Sequence, residues 1–292
     1  MNPFVIYFCS GGAFFAGSIL CSASFIFSFR NLKGKIEIFC RVIFLIGLLL
    51  IALSSTPLNK FLSSFFILSS CVYATIPSSG KFSAVKNTAR ILSMILIFLF
   101  VCIEFLNSLP PRIETAGERS VFVFGDSLSA GIGFKGERTW TQLLEEEGKY
   151  ELTVFSIGGA GVSDLIPSSK KISERKGLVL VLLGGNDIFR QTEPAVFENS
   201  LDQLLANLAD GKRTVVMFEL PLPPFHAEYG RIQRKIARRH SVALVPKYRL
   251  ASVLSGRKST VDGLHLSNYG HEKLANTCRE ILGGFIRSDP NR

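Results

Sequence analysis

Residues 91–109 read ILSMILIFLFVCIEFLNSL, nineteen residues with a single charge. A stretch of that length and polarity has few places to go. About 20 mostly apolar residues cross the hydrocarbon layer as a helix. In lipid the backbone must satisfy its own hydrogen bonds, and a helix does so within one segment. Three further stretches in the first third have the same character. Together they predict four spans, at about 4–28, 36–54, 61–78 and 91–108. The second (IEIFCRVIFLIGLLLIALS) and the fourth are the most apolar. The third is short and serine-rich. The first (FCSGGAFFAGSILCSASF) carries small residues that allow close helix packing. No Lys or Arg precedes Arg30, so the first segment lacks the basic start of a secretory leader. Leu20 before Cys21 does not fit a lipoprotein cysteine.

The charges divide the chain. Of 56 charged residues, ten lie before Leu109 (eight basic, two acidic) and 46 follow it. An apolar helical region, 1–110, therefore leads through a linker, 111–119, into an ordinary water-soluble domain, 120–288. The net charge of +10 does not point to nucleic acid. Most of the excess sits beside the apolar segments, where topology accounts for it. The link RNLKGK holds Arg30, Lys33 and Lys35. The link SSGKFSAVKNTAR holds Lys81, Lys86 and Arg90. The link between the second and third spans has only Lys60. The basic links belong on the cytoplasmic side, which puts both termini, and the C-terminal domain, on the outer face of a membrane, a bacterial inner membrane in this reading. Arg41 and Glu104 lie close enough to span ends to reach the interface. The cluster RIQRKIARRH at 231–240 reads as the solvated face of an amphipathic helix. Five of the six cysteines lie in the apolar third, and no disulfide framework or CxxC spacing is present.

After Ser120 the pattern changes. SVFVFG (120–125), LTVFSI (152–157), LVLVLLG (178–184), TVVMFEL (214–220) and VALVP (242–246) are short, continuous apolar runs, as strands covered on both faces should be. Helical patterns lie between and after them, at about 138–147, 194–209, 228–240 and 268–286. This alternation predicts a doubly wound parallel α/β sheet of five strands, with ligands at the strands' carboxyl ends.

Chemistry-bearing residues fall at those ends. Gly125, Asp126 and Ser127 follow the first run. SIGGAGVS, with Gly158 and Gly159, follows the second. LGGNDIF, with Asn186 and Asp187, follows the third. VDGLHLSN places Asp262 three residues before His265. A serine hydroxyl needs a base to act as nucleophile, and a histidine base needs a partner to orient it and stabilise its charged form. Of the four histidines only His265 has an acid so placed. His240 and His271 read as surface residues.

FGDSLSAG, SIGG, LGGND and DGLH, in that order, resemble the SGNH hydrolases, or GDSL esterases and lipases. The branch most similar is that of the bacterial thioesterase/lysophospholipase/arylesterase enzymes. The resemblance covers about 120–285. It implies a three-layer α/β/α, flavodoxin-like domain. It implies Ser127 as nucleophile, His265 as base and Asp262 as the triad acid. The oxyanion hole would be the Ser127 N–H, the Gly159 N–H and the Asn186 side chain, with Gly125 and Asp126 organising the nucleophile turn. It implies no metal and no cofactor. Leu266 stands where the family often has proline, and the membrane region is no part of the compact soluble enzymes. The expected substrate is a carboxylic ester or thioester, small or carried on a lysophospholipid-like lipid or an O-acylated envelope glycan. Acyl transfer from the same site and a non-catalytic, membrane-tethered binding module are the competing readings. Oligomeric state is not legible.

Overall fold

The computed structural model describes residues 2–28, 35–76, 81–111, 113 and 119–286. The chain divides into two compact units, a helical one built on Tyr7–Leu109 and an α/β one built on Pro110–Leu222 and Glu228–Arg292.

In the helical unit, Lys35–Leu53 and Ser83–Asn107 are each long and apolar enough to cross a membrane. The first expected span is broken. Pro3–Cys9 and Gly12–Ser28 meet at an angle of 71°. Ser10 and Gly11 form the break, consistent with the weak helix propensity of a Ser-Gly-Gly run. The third, Lys60–Thr75, is 16 residues long, short of a full span. Small residues pack the helices closely, as expected. A Cβ on Gly17 would lie 2.6 Å from the Gly47 carbonyl oxygen, and Ser24 Oγ donates to the Cys40 carbonyl at 2.8 Å. Arg41 pairs with Glu37 one turn away at 3.0 Å, while Glu104 is buried. Of the basic link RNLKGK only Lys35 lies within the described residues, and of the linker 111–119 residues 112 and 114–118 lie outside them.

The α/β unit has five parallel strands: β1 (Ser120–Gly125), β2 (Glu151–Ser156), β3 (Gly177–Leu182), β4 (Arg213–Phe218) and β5 (Ala243–Val245). Their order is β2-β1-β3-β4-β5. Each starts within a residue or two of its apolar run. Central β3 is buried along its whole length and β2, at the edge, is only partly covered, so continuous apolar sequence follows two-sided burial. A fully buried Leu or Val contributes about 1.5–3 kcal/mol relative to exposure, and β1 and β3 together supply the centre of the core. Helices cover both faces. Trp140–Glu145 and Lys247–Leu254 pack against Asn268–Ile286. Pro194–Leu208 packs against Ile166–Ser169, and against Ala227–Arg239 through Phe197 and Tyr229.

The cluster at 231–240 is amphipathic, but not all its cations are solvated. Lys235 and Arg239 pair with Glu198 and Asp202 at the surface. Arg234 is buried and bonds Glu219 at 2.6 Å. Two ionised groups removed from water persist only when well paired, and Glu219 also accepts the Lys247 N–H.

The strand order reverses between β1 and β3. The chain steps from β1 to β2 on one side, then crosses over to β3 on the other. The carboxyl ends of those two strands flank the crevice where open α/β sheets bind ligands.

Candidate active site

β1 and β3 each end in a sharp turn into a short helix. After β1, Asp126 caps the helix Ser127–Ala130, its Oδ1 accepting the Leu128 N–H at 2.9 Å. The cap sets Ser127 at the first helical position, half-buried at the rim. Here the backbone N–H groups have no partner within the helix. Asp126 is 5 % exposed. Burial pushes its carboxyl up to about 6, against the Leu128 N–H and the positive field of His265, which pull it down.

After β3, Asn186 and Asp187 lie in the helix Gly185–Phe189. Asn186 Nδ2 donates to the Ala160 carbonyl at 3.0 Å and lies 3.4 Å from Asp126 Oδ2. One amide hydrogen is thus well used. The other has only a long contact. Asp187 is buried and accepts the Val162 N–H at 3.0 Å. Desolvation raises its pKa, partly offset by that bond.

The glycine loop after β2 is held on three sides. Besides Asn186 and Asp187, Asp164 accepts the Gly161 N–H at 2.9 Å. Arg190 then donates to Asp164 at 2.9 Å and to the Gly159 carbonyl at 2.6 Å. Gly159 sits at φ +76, where a Cβ would be strained, and faces open space. Among the described residues, its N–H and that of Ser127 have no hydrogen-bond partner. Asp164 and Arg190 carry no motif of their own. Asp164 lies three residues past Gly161, and only the fold brings Arg190 onto the loop.

Asp262 and His265 come from the loop before the last helix. Asp262 Oδ2 meets His265 Nδ1 at 2.6 Å. Its Oδ1 accepts the backbone N–H groups of Leu264 (2.9 Å) and His265 (2.8 Å). These bonds, with the imidazole foremost, hold the carboxyl well below the usual carboxylate range. A bridge between Thr260 and Leu266 closes the loop, and Val261 N–H bonds the His265 carbonyl at 2.9 Å. Among the described residues no hydrogen bond joins Ser127 to His265. Such bonds are commonly long in unliganded sites and tighten around substrate.

Two histidines differ from their expected surface placement. His240 is half-buried and bonds Asp202 at 2.7 Å. His271 is 1 % exposed and lies between Trp140 and Glu137.

A serine at the end of β1, glycine N–H groups after β2, an asparagine after β3 and an Asp-His pair before the last helix form a constellation suited to acyl transfer. Residues 123–273 match the GDSL-like lipase/acylhydrolase family. The chain belongs to this family and is an ester-hydrolysing enzyme of it. It is 30% identical over 190 residues to the Escherichia coli K12 thioesterase 1/protease 1/lysophospholipase L1, covering 60% of this chain and 89% of that one. It is 29% identical over 191 residues to the Vibrio mimicus arylesterase, covering 60% and 88%. A crystal structure of TesA aligns with 56% of this chain and 97% of its own, at 26% identity and a TM-score of 0.48.

Proposed function

We propose that the protein is a membrane-tethered serine esterase. Ser127 is its nucleophile, His265 its base and Asp262 the acid that orients the base. The observation that carries this reading is the short Asp262–His265 bond through Nδ1. It leaves Nε2 as the nitrogen for the serine proton, and the Asp262 charge stabilises the imidazolium that forms. Ser127 Oγ attacks the ester carbonyl as its proton passes to His265 Nε2. The developing oxyanion takes the Ser127 N–H, the Gly159 N–H and the less engaged amide hydrogen of Asn186. Collapse expels the alcohol, which receives the proton from Nε2. Water, deprotonated by the same nitrogen, then releases the acid.

The substrate class we assign is an ester with an apolar acyl chain, such as a lysophospholipid-like lipid. Three exposed apolar side chains support this: Ile132 follows β1, Ile157 follows β2 and Phe189 follows β3. An E. coli relative bears the name lysophospholipase. The tether is supported by the two span-length helices. Arg41, Lys86 and Arg90 gather at one end of the helical unit, while Lys60 begins Lys60–Thr75 at the other end of that helix. Arg41 Nη1 donates to the Ala74 carbonyl at 3.3 Å, and Lys86 lies 5.3 Å from the ring centre of the adjacent Tyr73. With that end cytoplasmic, a chain leaving the last helix at Asn107 enters the catalytic unit on the opposite, outer side of the membrane.

The test is turnover of p-nitrophenyl esters from acetate to palmitate by the full chain in detergent. This reading expects kcat/KM to rise with acyl length beyond acetate. A maximum at acetate would reassign the substrate to O-acetyl esters.

A further inference from the structure

We propose that Glu137 and His271, acting with Trp140, are positioning residues that lock the nucleophile segment to the base segment. Neither touches the reacting atoms. The proposal rests on Ser127 and His265 being nucleophile and base.

The nucleophile helix Ser127–Ala130 runs straight into the loop Gly131–Gly133, and Glu137 closes that loop. Its carboxylate accepts the N–H of Ile132 at 3.0 Å and of Gly133 at 2.5 Å. Gly131 permits this approach. A Cβ there would lie 2.8 Å from the Glu137 carboxylate carbon. Burial alone would raise the Glu137 pKa. The two N–H groups and His271 outweigh it and hold the carboxyl below its usual range.

The other side of the clamp belongs to the base segment. His271 lies six residues after His265, in the first turn of Asn268–Ile286. Its Nδ1 faces the Trp140 backbone N–H at 3.3 Å. A backbone N–H only donates, so Nδ1 carries the lone pair. The ring proton is then on Nε2, which faces Glu137 Oε1 at 3.3 Å. His271 is thereby held as one neutral tautomer. Desolvation, opposed by Glu137, lowers its pKa and favours that form.

Trp140 completes the circuit. Its indole N–H donates to the carbonyl of Leu128, the residue after the nucleophile, at 3.1 Å. Asn268 adds a second tie, donating to the Gly136 carbonyl and accepting the Arg138 N–H, both at 2.9 Å. Every bond in this set joins the strap after Ser127 to the strap after His265 or braces one of them. A polar pair serving stability alone has no need to address the backbone beside the nucleophile.

Full-length Glu137→Gln, His271→Ala, His271→Gln and Asn268→Ala would be compared with wild type in detergent. Active sites are counted by fluorophosphonate titration, and kcat per titrated site, KM and the phosphonylation rate are measured beside Tm. Misplacing reacting groups by about 1 Å costs on the order of 100-fold. The clamp predicts that kcat and phosphonylation fall together by roughly 10- to 100-fold in Glu137→Gln and His271→Ala. KM changes by less than about twofold, as for a group that acts on the transition state alone. His271→Gln, which keeps a donor toward Glu137, recovers part of the loss. Normal kcat per titrated site with a lowered Tm would overturn the proposal. Should the buried variants not fold, Asn268→Ala decides, with reduced kcat supporting the clamp and wild-type kcat overturning it. A wild type that neither labels nor turns over would remove the clamp together with the reading beneath it.

Discussion

Asp262 and His265 stand three residues apart, and one carboxylate serves both the side chain and the backbone of the histidine, at 2.6 and 2.8 Å. The acid thus fixes ring orientation and loop conformation together. Asp262→Asn keeps the shape but can donate to Nδ1 and favour the wrong tautomer. We expect kcat to fall by roughly 10⁴, with little change in KM and a near-wild-type fold by circular dichroism. A loss under tenfold would remove Asp262 from the triad.

Asn186 donates to the Ala160 carbonyl, and in the proposed mechanism its other amide hydrogen serves the oxyanion. Asn186→Ala should lower kcat by about 10²–10³, or ~2.7–4 kcal/mol of barrier, while fluorophosphonate still labels Ser127 at a reduced rate. An unchanged kcat would assign the amide to loop structure alone.

Asp126 gives a pH dependence of stability. Its folded pKa lies near 6, above the ordinary 3.8, so the native state holds this proton more tightly than the unfolded chain. Its contribution is neutral below about pH 4, grows more unfavourable as pH rises through the window and is complete above about 6. Asp126→Asn keeps an acceptor for the Leu128 N–H. Its stability advantage should therefore appear between pH 4 and 6 and level off at no more than about 3 kcal/mol. Denaturant midpoints of both proteins across pH 4–8 check this. A difference independent of pH would contradict it.

The topology makes a labelling prediction. Glu174 is exposed in the α/β unit. In spheroplasts, Glu174→Cys should react with a membrane-impermeant maleimide above the background of the parent chain. Labelling only after lysis would place the catalytic unit in the cytoplasm and reverse the orientation.

The strands and the site segments were legible because their signals are local. A parallel strand buried on both faces is a continuous apolar run, and GDS and GGND follow the ends of β1 and β3, while DGLH keeps its acid and its histidine within three residues of each other. Arg190, Asp164, Glu137 and His271 were not legible in this way. Arg190 and His271 act through partners far away in sequence, while Asp164 and Glu137 also bond nearby backbone N–H groups, a contact that no residue pattern marks. Arg234 was hidden for the same reason, its partner Glu219 lying beyond the end of β4. The bend near Gly11 went unread because a long apolar run obscures a break of two residues.

The proposed mechanism stands on Ser127 as the nucleophile. The most direct measurement is mass spectrometry of the detergent-solubilised chain after reaction with a fluorophosphonate, followed by peptide mapping, with Ser127→Ala beside it. We expect one adduct per chain, carried by the peptide containing Ser127, with labelling and esterase activity both absent from the variant. An adduct on another serine, or ester hydrolysis that survives Ser127→Ala, would contradict it.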